Sequence, residues 1–410
     1  MRMLLILTNL YDPSMPSWPE VMSVYGKHLP ARGHKIDWVM PERAPMFGPV
    51  RKTSFHSCTL FLIPFSRSSN PVVFLVSSMV YQLRLLLLMS SQLRGKEYDI
   101  VQVRDDELSA MNALLQKRLN GVALAYNKSY PHYADALNQR QYFGMSSVKL
   151  LYYRLMQFLL VNIILRGADI VLPISMEMLE EFKAAGIPEE KMHPLPLGAD
   201  TDVFNEGHTG RGLRERYGIP SGDLVLIYVG SMARMRGLDI LISSFKEVAQ
   251  RHSRVRMMLV GDGEALEDLR RQAKEYGLDD RVTFTGRVPY GEVPDHIAAA
   301  DVGLSIIRPL NCYRVSSPCK VFEYMAMGRP VIANVELPEH RRVVSAAGCG
   351  VLTEYSVQGI AGAMERMITI HDNQKNLFIN MGGGGRSWVM TNRTFEIISK
   401  EIEKAYGDAV

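Results

Sequence analysis

The sequence predicts an α/β protein with two doubly wound, Rossmann-like domains, and three observations carry that prediction. The chain has 410 residues, which is more than one ordinary domain holds. Apolar segments of strand length alternate with helical segments in both halves, as in parallel sheets whose crossovers are helices. Residues 198–223 are polar and glycine-rich and interrupt this alternation, so they are predicted to be the linker between the domains.

The first half is predicted to form one domain, residues 1–200. Its predicted strands are residues 3–9, 35–40, 99–104, 122–127, 169–173 and 192–196. Its predicted helices are residues 19–32, 107–118, 148–166 and 177–185. Because strands and helices alternate, we expect the strands to be parallel.

The second half repeats this rhythm and is predicted to form a domain of residues 201–390. Its predicted strands are residues 224–229, 256–260, 282–285, 301–306 and 330–333. Its predicted helices are residues 238–250, 264–276, 290–300 and 320–327, followed by a mostly helical stretch, 372–406, with a break at 382–385. Residues 391–410 are expected to be a helix that packs back toward the first domain. A cleft between two such domains is the expected ligand site.

Composition narrows the possible functions. The sequence is 47% hydrophobic and 22% charged, as is normal for a globular protein. Its formal net charge of +4 is small and no nucleic-acid-binding module is recognisable, so no nucleic-acid partner is expected. The cysteines, Cys58, Cys312, Cys319 and Cys349, form no CxxC pair and predict reduced thiols in the cytoplasm. No metal-ligand motif is recognised, so no metal site is predicted.

Positive charge is concentrated in two stretches that are also rich in Leu, Phe, Tyr and Met. No acidic residue lies between Glu42 and Glu97 or between Asp135 and Asp169. The cations there are Arg43, Arg51, Lys52, Arg67, Arg84, Arg94, Lys96, Arg140, Lys149, Arg154 and Arg166. Basic and apolar residues together indicate an anionic membrane surface as a partner. The alternative is a solvated helix face over an ordinary core.

No membrane span is predicted, because the most apolar stretch, Val72–Met89, contains Gln82 and Arg84. The first residues form a short apolar run without a small-residue cleavage site, so they are predicted to be a strand rather than a signal peptide. The expected localisation is therefore the cytoplasm, with peripheral contact at the inner face of the membrane.

Residues 316–339, SSPCKVFEYMAMGRPVIANVELPE, carry the strongest functional signal. They are predicted to run from a loop through a short helix, stopped at Gly328, into a buried strand. Ser317 is the expected N-cap, and Pro318 fits the first helical turn. Lys320 follows where a capping box has Glu or Gln, although a cation there opposes the helix dipole.

A bound phosphate would explain this lysine. The free N–H groups of the helix start, together with Ser316, Ser317 and Lys320, converge on one point and predict a phosphate site. Glu323 lies one turn further on the same face, where its carboxylate could accept hydrogen bonds from sugar hydroxyls. The alternative is an ordinary amphipathic helix in which Lys320 and Glu323 only pair with each other.

Residues 224–237, LVLIYVGSMARMRG, are predicted to be a buried strand followed, from Gly230, by a loop without acidic residues. Loops at the carboxyl ends of parallel strands bind the ligands of open α/β sheets. The guanidinium groups of Arg234 and Arg236 suit a pyrophosphate, and the alternative is that both are solvated. The turn at residues 261–263 is not a GxGxxG fingerprint, so nicotinamide-dependent chemistry is disfavoured.

Polar residues also follow two predicted strands of the first half. His132, in the segment SYPH, could act as a general base or hydrogen-bond a sugar. Asp105 and Asp106 follow a second strand and are expected at the same edge of the sheet. The alternatives are a structural or solvated histidine, and aspartates that are solvated or cap the helix beginning near Glu107.

Several sequence blocks in a fixed order closely resemble the family 4 glycosyltransferases of the GT-B fold. The resemblance covers most of the chain and is strongest over residues 168–353. The similar blocks are residues 168–204 (last N-domain strands and hinge), 228–245 (phosphate loop), 259–304 (nucleotide-base region) and 317–333 (the SPxKxFEYMAxGxPVIA donor motif). The resemblance implies transfer of a sugar from a nucleotide-diphosphate sugar, with retention of configuration and without a metal or other cofactor.

The resemblance also implies roles for individual positions. The donor-binding residues that it implies are Gly230, Ser231, Arg234, Arg236, Arg287, Val288, Ser316, Ser317, Lys320 and Glu323. Arg236, usually lysine in the family, would bind the donor pyrophosphate with the help of Lys320. Glu323 would bind the ribose hydroxyls. Arg287 and Val288 would flank the base, mainly through their backbone.

Three positions depart from the family pattern. Val315 stands where the family has a second glutamate, eight positions before the ribose-binding one. Ser231 replaces an arginine that usually follows the first glycine of the phosphate loop. Ser129 stands near the position of the family's N-domain histidine, with His132 three residues on. The catalytic candidates are His132, Ser129 and Asp105.

The sequence therefore predicts a retaining, metal-independent glycosyltransferase of cell-surface polysaccharide or glycoconjugate synthesis. The expected partners are a nucleotide-sugar donor and a glycan or lipid-linked acceptor. Two alternatives stay open: a nucleotide-sugar epimerase or hydrolase on the same fold, and a non-catalytic member that binds a nucleotide or a partner. The residue patterns do not specify the donor sugar, the base, the acceptor or the oligomeric state.

Overall fold

The structure is a computed structural model that describes residues 1–68, 70–95 and 97–408. It divides into unit 1, Met1–Pro196 with the segment from Phe395 onward, and unit 2, Leu197–Thr394. Lys96 of the first basic stretch and residues 409–410 of the predicted C-terminal helix lie outside the described residues.

The strands of the described chain are short and mostly buried. In chain order they are β1 (Arg2–Ile6), β2 (Lys35–Arg43), β3 (Arg51–Phe55), β4 (Cys58–Phe65), β5 (Ile100–Arg104), β6 (Ala123–Lys128), β7 (Ile170–Pro173), β8 (Leu224–Val229), β9 (Val255–Val260), β10 (Val282–Gly286), β11 (Val302–Ser305), β12 (Val331–Asn334) and β13 (Gly350–Thr353).

Helices connect most of these strands. In chain order they are α1 (Pro19–Ser23), α2 (Leu29–Ala31), α3 (Pro71–Leu93), α4 (Glu107–Asn120), α5 (His132–Phe143), α6 (Ser147–Leu159), α7 (Leu165–Gly167), α8 (Met176–Ala184), α9 (Arg211–Arg216), α10 (Asp239–Arg251), α11 (Leu266–Glu275), α12 (Val293–Ala298), α13 (Asn311–Arg314), α14 (Cys319–Ala326), α15 (Pro338–Ala347), α16 (Val357–Asn373), α17 (Lys375–Asn392) and α18 (Phe395–Gly407). Single π-helical turns, Val24–His28 and Leu160–Ile164, join α1 to α2 and α6 to α7.

Unit 1 contains a sheet with the strand order β3-β4-β2-β1-β5-β6-β7. Its described strands pair in parallel, as predicted, apart from β3, which pairs antiparallel with β4. Strands β2, β3 and β4 lie on one side of β1 in the sheet, and the chain then crosses to the other side, where it forms β5. The carboxyl ends of β1 and β5 therefore flank a topological switch point, where open sheets of this kind form their ligand crevices.

The last helix completes the core of unit 1. Phe395 and Ile402 on α18 pack with the strand residues, among them the fully buried Trp38 of β2. The Tyr406 hydroxyl on α18 donates a hydrogen bond to the Gln102 side chain on β5. Residues from both ends of the sequence are therefore needed to close this core.

Unit 2 contains a parallel sheet with the order β10-β9-β8-β11-β12-β13, as predicted for a doubly wound domain. Alternate residues of β8 enter the cores on its two faces, with Leu226 on one side and Ile227 on the other. Helices α10 and α16 cover the first face, and α14, α15 and α17 cover the second. The switch point lies between β8 and β11.

Two predicted features of the secondary structure are wrong. The segment predicted as a strand at residues 192–196 makes one isolated bridge, between Met192 and Val171, although the N–H groups of His193 and Leu195 donate to the carbonyls of Val171 and Pro173. The helix break predicted at residues 382–385 is absent, since α17 runs through it. A Cβ on Gly382 would lie 2.2 Å from the carbonyl oxygen of Gly328, so this glycine permits close helix packing rather than ending a helix.

The prediction also omits several elements. The omitted elements are β3, β4, β13, α3, α5, α9, α13, α15 and most of α16. Helix α3 is the longest of them, and its faces are apolar both toward the core and away from it. A helix with two apolar faces lacks the amphipathic period by which helices are recognised in a sequence.

The predicted linker at residues 198–223 is also wrong, because this stretch is folded into unit 2. Phe204 and Ile219 are buried in its core, and Ala199 bridges to Thr394. A Cβ on Gly210 would lie 2.1 Å from the backbone nitrogen of Ala299. The glycines and polar residues that suggest a linker therefore serve tight turns packed against the domain.

Candidate functional site

Two glycine-containing loops interlock at the carboxyl edge of the unit 2 sheet. One begins at Gly230 after β8, and the other is residues 261–263 after β9. A Cβ on Gly261 would lie 1.9 Å from the Gly230 carbonyl oxygen, and the φ of Gly261 is +143°. The Met232 N–H donates to the Asp262 carbonyl at 2.9 Å. Side chains at these glycines would force the loops apart.

The first loop carries both predicted arginines in a single 3₁₀ turn, Arg234–Arg236. Arg234 is exposed and pairs with Asp268 of α11 at 2.8 Å. The Arg236 guanidinium is half-buried and lies 4.5 Å from the centroid of the Tyr313 ring. The two arginines therefore occupy different environments, and Arg236 is the one beside the segment that precedes α14.

The start of α14 differs from the prediction at the cap. The helix begins at Cys319, its N-cap is Pro318, and no described side chain caps it. The prediction of Ser317 as the N-cap is wrong, because its hydroxyl instead accepts a hydrogen bond from the Leu197 N–H at 2.9 Å. The Ser316 hydroxyl donates to the Tyr313 carbonyl at 2.7 Å. Both serines thus hold the loop in place in this structure.

The glycine stop of α14 and the pairing of its charged residues are confirmed. Gly328 adopts a left-handed φ of +66° just after the helix. Lys320 Nζ lies 2.6 Å from Glu323 Oε2, and the Glu323 side chain is only 5% exposed. Burial opposes the charge on Lys320, but Glu323 outweighs it and the pKa of the lysine is raised. The alternative that these residues pair is thus realised, and the pair delivers a fixed cation to the sheet edge.

The cations of the loop and of α14, Arg236 and Lys320, both act on the side chain of Tyr228. Tyr228, at the end of β8, donates its hydroxyl to the Ser231 carbonyl at 3.1 Å. Burial raises the pKa of Tyr228, while the charges of Arg236 and Lys320 act in the opposite direction. The structure therefore brings Arg236, Lys320 and Glu323 together at the switch point of unit 2.

The remaining predicted residues of unit 2 lie on neighbouring segments. Arg287 and Val288 follow β10, beside the second glycine loop, because the Gly261 N–H donates to the Gly286 carbonyl at 3.0 Å. Arg287 is exposed and Val288 is half-buried against the core. Val315, which precedes the two serines, is buried, so it offers an aliphatic side chain where the family pattern has a carboxylate.

In unit 1, Asp105 and Ser129 are in direct contact. Asp105 has a left-handed φ of +53° after β5, and its Oδ1 accepts hydrogen bonds from the N–H groups of Ser129 at 2.9 Å and Tyr130 at 3.1 Å. The Ser129 hydroxyl donates to Oδ2 of the same carboxylate. Asp105 is thus no helix cap, contrary to that alternative, and it binds together the loops after β5 and β6.

His132 is held by a buried lysine. Lys128 is 3% exposed, and its Nζ lies 2.7 Å from Glu107 Oε1 and 3.2 Å from His132 Nδ1. Because an ammonium group can only donate, Nδ1 accepts and the ring proton of His132 is on Nε2. Burial, and then the Lys128 charge, lower the pKa of His132. The imidazole is therefore neutral near pH 7.

Sequence reasoning missed the partners that organise this network. Lys128, Glu107 and Arg104 were not singled out, although Arg104 and Lys128 are cations that end otherwise largely apolar strands. A charged residue at the carboxyl end of a buried strand was the available signal. The capping alternative is confirmed for Asp106, which accepts hydrogen bonds from the N–H groups of Leu108 and Ser109.

A cavity of about 770 Å³ opens over this network within unit 1. Its polar part includes Asp105, Glu107, Lys128 and His132, and Thr8 and Leu10 reach it from the end of β1. Its walls come from α3 and α6, including Phe74, Leu75, Tyr81, Tyr152, Tyr153 and Met156. The cavity thus sits at the switch point between β1 and β5, with a charged floor and apolar walls.

Two further observations concern metals and membranes. Among the described residues, no group of three or more His, Cys, Asp and Glu side chains is placed to hold a metal ion.

Two described helical stretches, Val72–Leu93 and Ser147–Gly167, are long and apolar enough to cross a membrane, whereas the sequence analysis predicts no span. Length and composition alone are weak evidence, because core helices meet the same criterion.

Comparison with known proteins relates both units to one group of enzymes. Residues 23–203 match the family described as Glycosyltransferase Family 4, and residues 223–369 match the one described as Glycosyl transferases group 1. Over 239 residues the chain is 30% identical to the GDP-mannose-dependent alpha-(1-6)-phosphatidylinositol monomannoside mannosyltransferase of Mycobacterium tuberculosis. That match covers 58% of this chain and 61% of the relative, so the chain spans about three fifths of the relative's length.

Solved structures share the fold over the whole chain. Sucrose-phosphate synthase from Thermosynechococcus elongatus superposes with a TM-score of 0.74 at 18% identity, covering 99% of this chain and 98% of that one. HepE from Anabaena in complex with UDP and glucose gives 0.71 at 17% identity, with 100% of both chains covered. With both units matched by family and by fold, the chain belongs to the family 4-type glycosyltransferases of the GT-B fold.

Proposed function

We propose that the protein transfers a sugar from a nucleotide-diphosphate sugar to a lipid-linked or glycan acceptor. The observation that carries this proposal is the set of Arg236, Lys320 and Glu323 at the switch point of unit 2. The relative from M. tuberculosis is named for GDP-mannose, and the HepE structure holds UDP and glucose. Both names support a nucleotide sugar as the donor class.

The donor would be held through its diphosphate and ribose. Arg236 offers a planar, permanently charged guanidinium, which matches a pyrophosphate. Lys320 adds a second cation, and the first turn of α14, which no described side chain caps, adds N–H donors. Glu323, fixed by its pair with Lys320, would accept hydrogen bonds from the ribose hydroxyls. The base would lie along the backbone at Arg287 and Val288.

The same cations would drive the chemistry. When the bond to the sugar breaks, negative charge grows on the departing diphosphate, and preorganised cations and N–H groups stabilise that charge. Such stabilisation needs no metal ion, and we propose metal-independent transfer with retention of configuration. Activity that persists in excess EDTA, and a product with the anomeric configuration of the donor by NMR, are the expected results. Loss in EDTA that Mg²⁺ restores, or an inverted product, would contradict this part.

The acceptor would occupy the cavity of unit 1. His132 has its Nδ1 engaged by Lys128, so we propose that its Nε2–H donates a hydrogen bond to the acceptor rather than serving as the general base. Asp105 and Ser129 use their side chains on each other, which makes them positioning residues for the two loops. This assigns unit 1 to orientation rather than to proton transfer.

The biological setting is inferred from composition and relatives. The basic, apolar stretches of unit 1 and the lipid named for the M. tuberculosis relative favour glycoconjugate or cell-surface polysaccharide synthesis. We propose a cytoplasmic enzyme that works peripherally at the inner face of the membrane, because its donor is a soluble cytoplasmic metabolite class.

Calorimetry tests the donor site. UDP, GDP and ADP are titrated into the wild type, and the tightest nucleotide is then titrated into Arg236→Ala and Glu323→Gln. We expect each variant to bind at least tenfold more weakly, which is about 1.4 kcal/mol. Arg270→Ala, which removes an exposed arginine of the same unit, is the matched control. Unchanged affinity in both site variants, with unchanged unfolding midpoints, would refute the assignment.

One observation favours a second candidate, a non-catalytic nucleotide-binding member. Buried Val315 offers no carboxylate to the donor sugar, and Ser129 offers no imidazole. Incubation of the protein with labelled nucleotide sugars and membrane extracts discriminates the two. Transfer of label to any acceptor excludes the non-catalytic candidate, whereas epimerised or hydrolysed donor without transfer points to the related alternative on the same fold.

A further inference from the structure

Helix α3 presents an uncovered apolar stripe. Val72, Leu75, Met79, Leu83 and Leu87 follow the helical spacing of three and four residues, and all are exposed, Met79 to 65%. The stripe is about 22 Å long at 1.5 Å per residue. Soluble proteins seldom leave an apolar surface of this length without a partner.

The opposite face of α3 is built into unit 1. Tyr81, Leu85 and Met89 are buried, and Gln82 hydrogen-bonds to Ser109 of α4 at 3.2 Å. A helix held along one face by its own domain lies on that domain and cannot cross a bilayer as a span. The exposed apolar face of α3 is therefore a surface feature of unit 1.

Helix α6 repeats this arrangement. Val148, Leu151, Leu155 and Phe158 are exposed at helical spacing, Val148 to 81%. Met156 on the other face is buried and lines the cavity. Both helices thus combine an inner face that closes the cavity with an outer face that has no cover in the described structure.

The charged residues within these two segments have one sign. Residues 43–96 and 136–168 contain no acidic residue. Arg67 and Arg94, which bracket α3, are exposed, as are Lys149 and Arg154 of α6. An apolar stripe bordered by cations is the composition of a helix that lies in the interface of an anionic bilayer. A protein partner would not require the complete exclusion of acidic residues.

The cavity opens onto the same surface. Phe74 and Leu75 of α3 and Tyr152 of α6 line the cavity and are also exposed, so they form its mouth. Lys128 and His132 lie at its polar end. A ligand with a polar head and an aliphatic chain matches this gradient from charged floor to apolar mouth.

We propose that the outer faces of α3 and α6 dock in an anionic bilayer and that the acceptor enters the cavity laterally from that bilayer, head group first. This rests on the proposed function and narrows its acceptor to a lipid-linked one. The cationic rim sets the preference for anionic lipid, and the apolar stripes supply the area that is buried.

Flotation with vesicles tests the docking. Phosphatidylcholine vesicles with and without phosphatidylglycerol are compared at low salt, using the wild type and the double variant Met79→Glu, Leu83→Glu. We expect binding only to the anionic vesicles, weakened by salt and at least tenfold lower in the double variant. The matched control is Leu377→Glu, Ile379→Glu, which places the same charges on exposed apolar residues of α17. Absence of wild-type binding, or equal binding by the double variant, overturns the docking.

A soluble amphiphile tests the cavity. Octyl glucoside, an amphiphile with a neutral sugar head, should bind the wild type once per chain when it is titrated as a monomer, and Tyr153→Ala should weaken this binding at least tenfold. Tyr142→Ala removes an exposed tyrosine from α5 as the control. Equal binding by wild type and Tyr153→Ala overturns lateral entry into this cavity.

Two readouts separate this inference from the proposed function. Nucleotide binding by the Met79→Glu, Leu83→Glu variant should equal that of the wild type, because neither residue belongs to the donor site. Nucleotide binding without vesicle binding refutes the inference and leaves the proposed function intact, whereas vesicle binding without nucleotide binding refutes the proposed function. A stable wild-type dimer that the double variant dissociates, without vesicle binding, would assign the stripes to a second copy and overturn the proposal.

Discussion

The charged groups of unit 2 and those of unit 1 are set up in opposite ways. At the unit 2 switch point, interlocked backbone loops carry cations that stay partly open to solvent, Arg234 with 54% of its side chain exposed. In unit 1, Lys128 is 3% exposed and is surrounded by Glu107, Asp105 and His132. The first arrangement leaves its cations within reach of a ligand, while the second buries its charges in an internal network.

The difference separates two tasks of a binding protein. A dianionic or trianionic ligand needs cations that it can reach, and rigid backbone loops keep them in place. A neutral sugar or lipid head needs oriented hydrogen-bond donors, and an internally compensated network fixes such donors without attracting anions. Substitutions at the distinguishing feature of each unit test this difference.

The largest effect is expected from Lys128→Met in unit 1. Removing Lys128 leaves the buried Glu107 carboxylate without its cation, which costs about 3–5 kcal/mol. Urea unfolding followed by tyrosine fluorescence should show the loss. Lys149→Met, at an exposed position on the cavity wall, should change stability by less than about 0.5 kcal/mol. Similar small losses in both variants would mean that the network does not depend on Lys128.

In unit 2, we expect a large loss of stability from adding one methyl group in Gly261→Ala. The new Cβ would lie 1.9 Å from the Gly230 carbonyl, at a φ that non-glycine residues rarely adopt. We expect a loss of about 2–4 kcal/mol, together with weaker nucleotide binding. Gly277→Ala is the control, because it has a positive φ but open space around its Cβ. Equal losses in the two variants would show that backbone conformation, not loop contact, sets the effect.

Acid should destabilise unit 2 through His340. Burial lowers the pKa of His340 to about 4 and outweighs the Asn334 carbonyl and Glu336, which both raise it. The unfolded chain takes up the proton first, so stability is lost as the pH falls from about 6.5 toward 4, by about 2 kcal/mol at pH 5. His340→Gln should flatten the dependence of stability on pH, and the more exposed His371→Gln should not. A wild-type slope in His340→Gln would exclude this histidine as the cause.

The smallest effect is expected from Arg234→Gln. Its guanidinium is committed to Asp268 in an exposed pair, and such pairs contribute only about 0–1 kcal/mol. Nucleotide affinity should fall less than threefold, against at least tenfold for Arg236→Ala. A larger loss in Arg234→Gln than in Arg236→Ala would reverse the assignment of the two arginines.

The sequence was most informative where function depends on neighbours in the chain. Lys320 and Glu323 are three residues apart on one helix, and Gly328 ends it, so spacing alone predicts their arrangement. Two parallel sheets also follow from the alternation of strands and helices. The N-cap could not be predicted, because the Ser317 hydroxyl bonds to Leu197, which is distant in sequence.

The network of unit 1 could not be predicted for the same reason. Lys128, Glu107 and Asp105 meet because β5 and β6 pair in the register Arg104 to Asn127, which no local pattern encodes. At two glycines the local pattern itself predicts the wrong structure. Gly210 and Gly382 suggest a linker and a break, yet they are sites where backbones touch, and the two uses of glycine look alike in a sequence.

The position of α18 has a consequence for how the protein is made on the ribosome. Most of unit 1 is translated first, but some of its side chains have their hydrogen-bond partners on α18. Arg32 and His34 bond to Glu403, and Tyr25 and Gln102 bond to Tyr406. Those partners emerge only after all of unit 2 has been synthesised. The core of unit 1 therefore stays incomplete, with part of its apolar surface exposed, while some two hundred residues of unit 2 are translated.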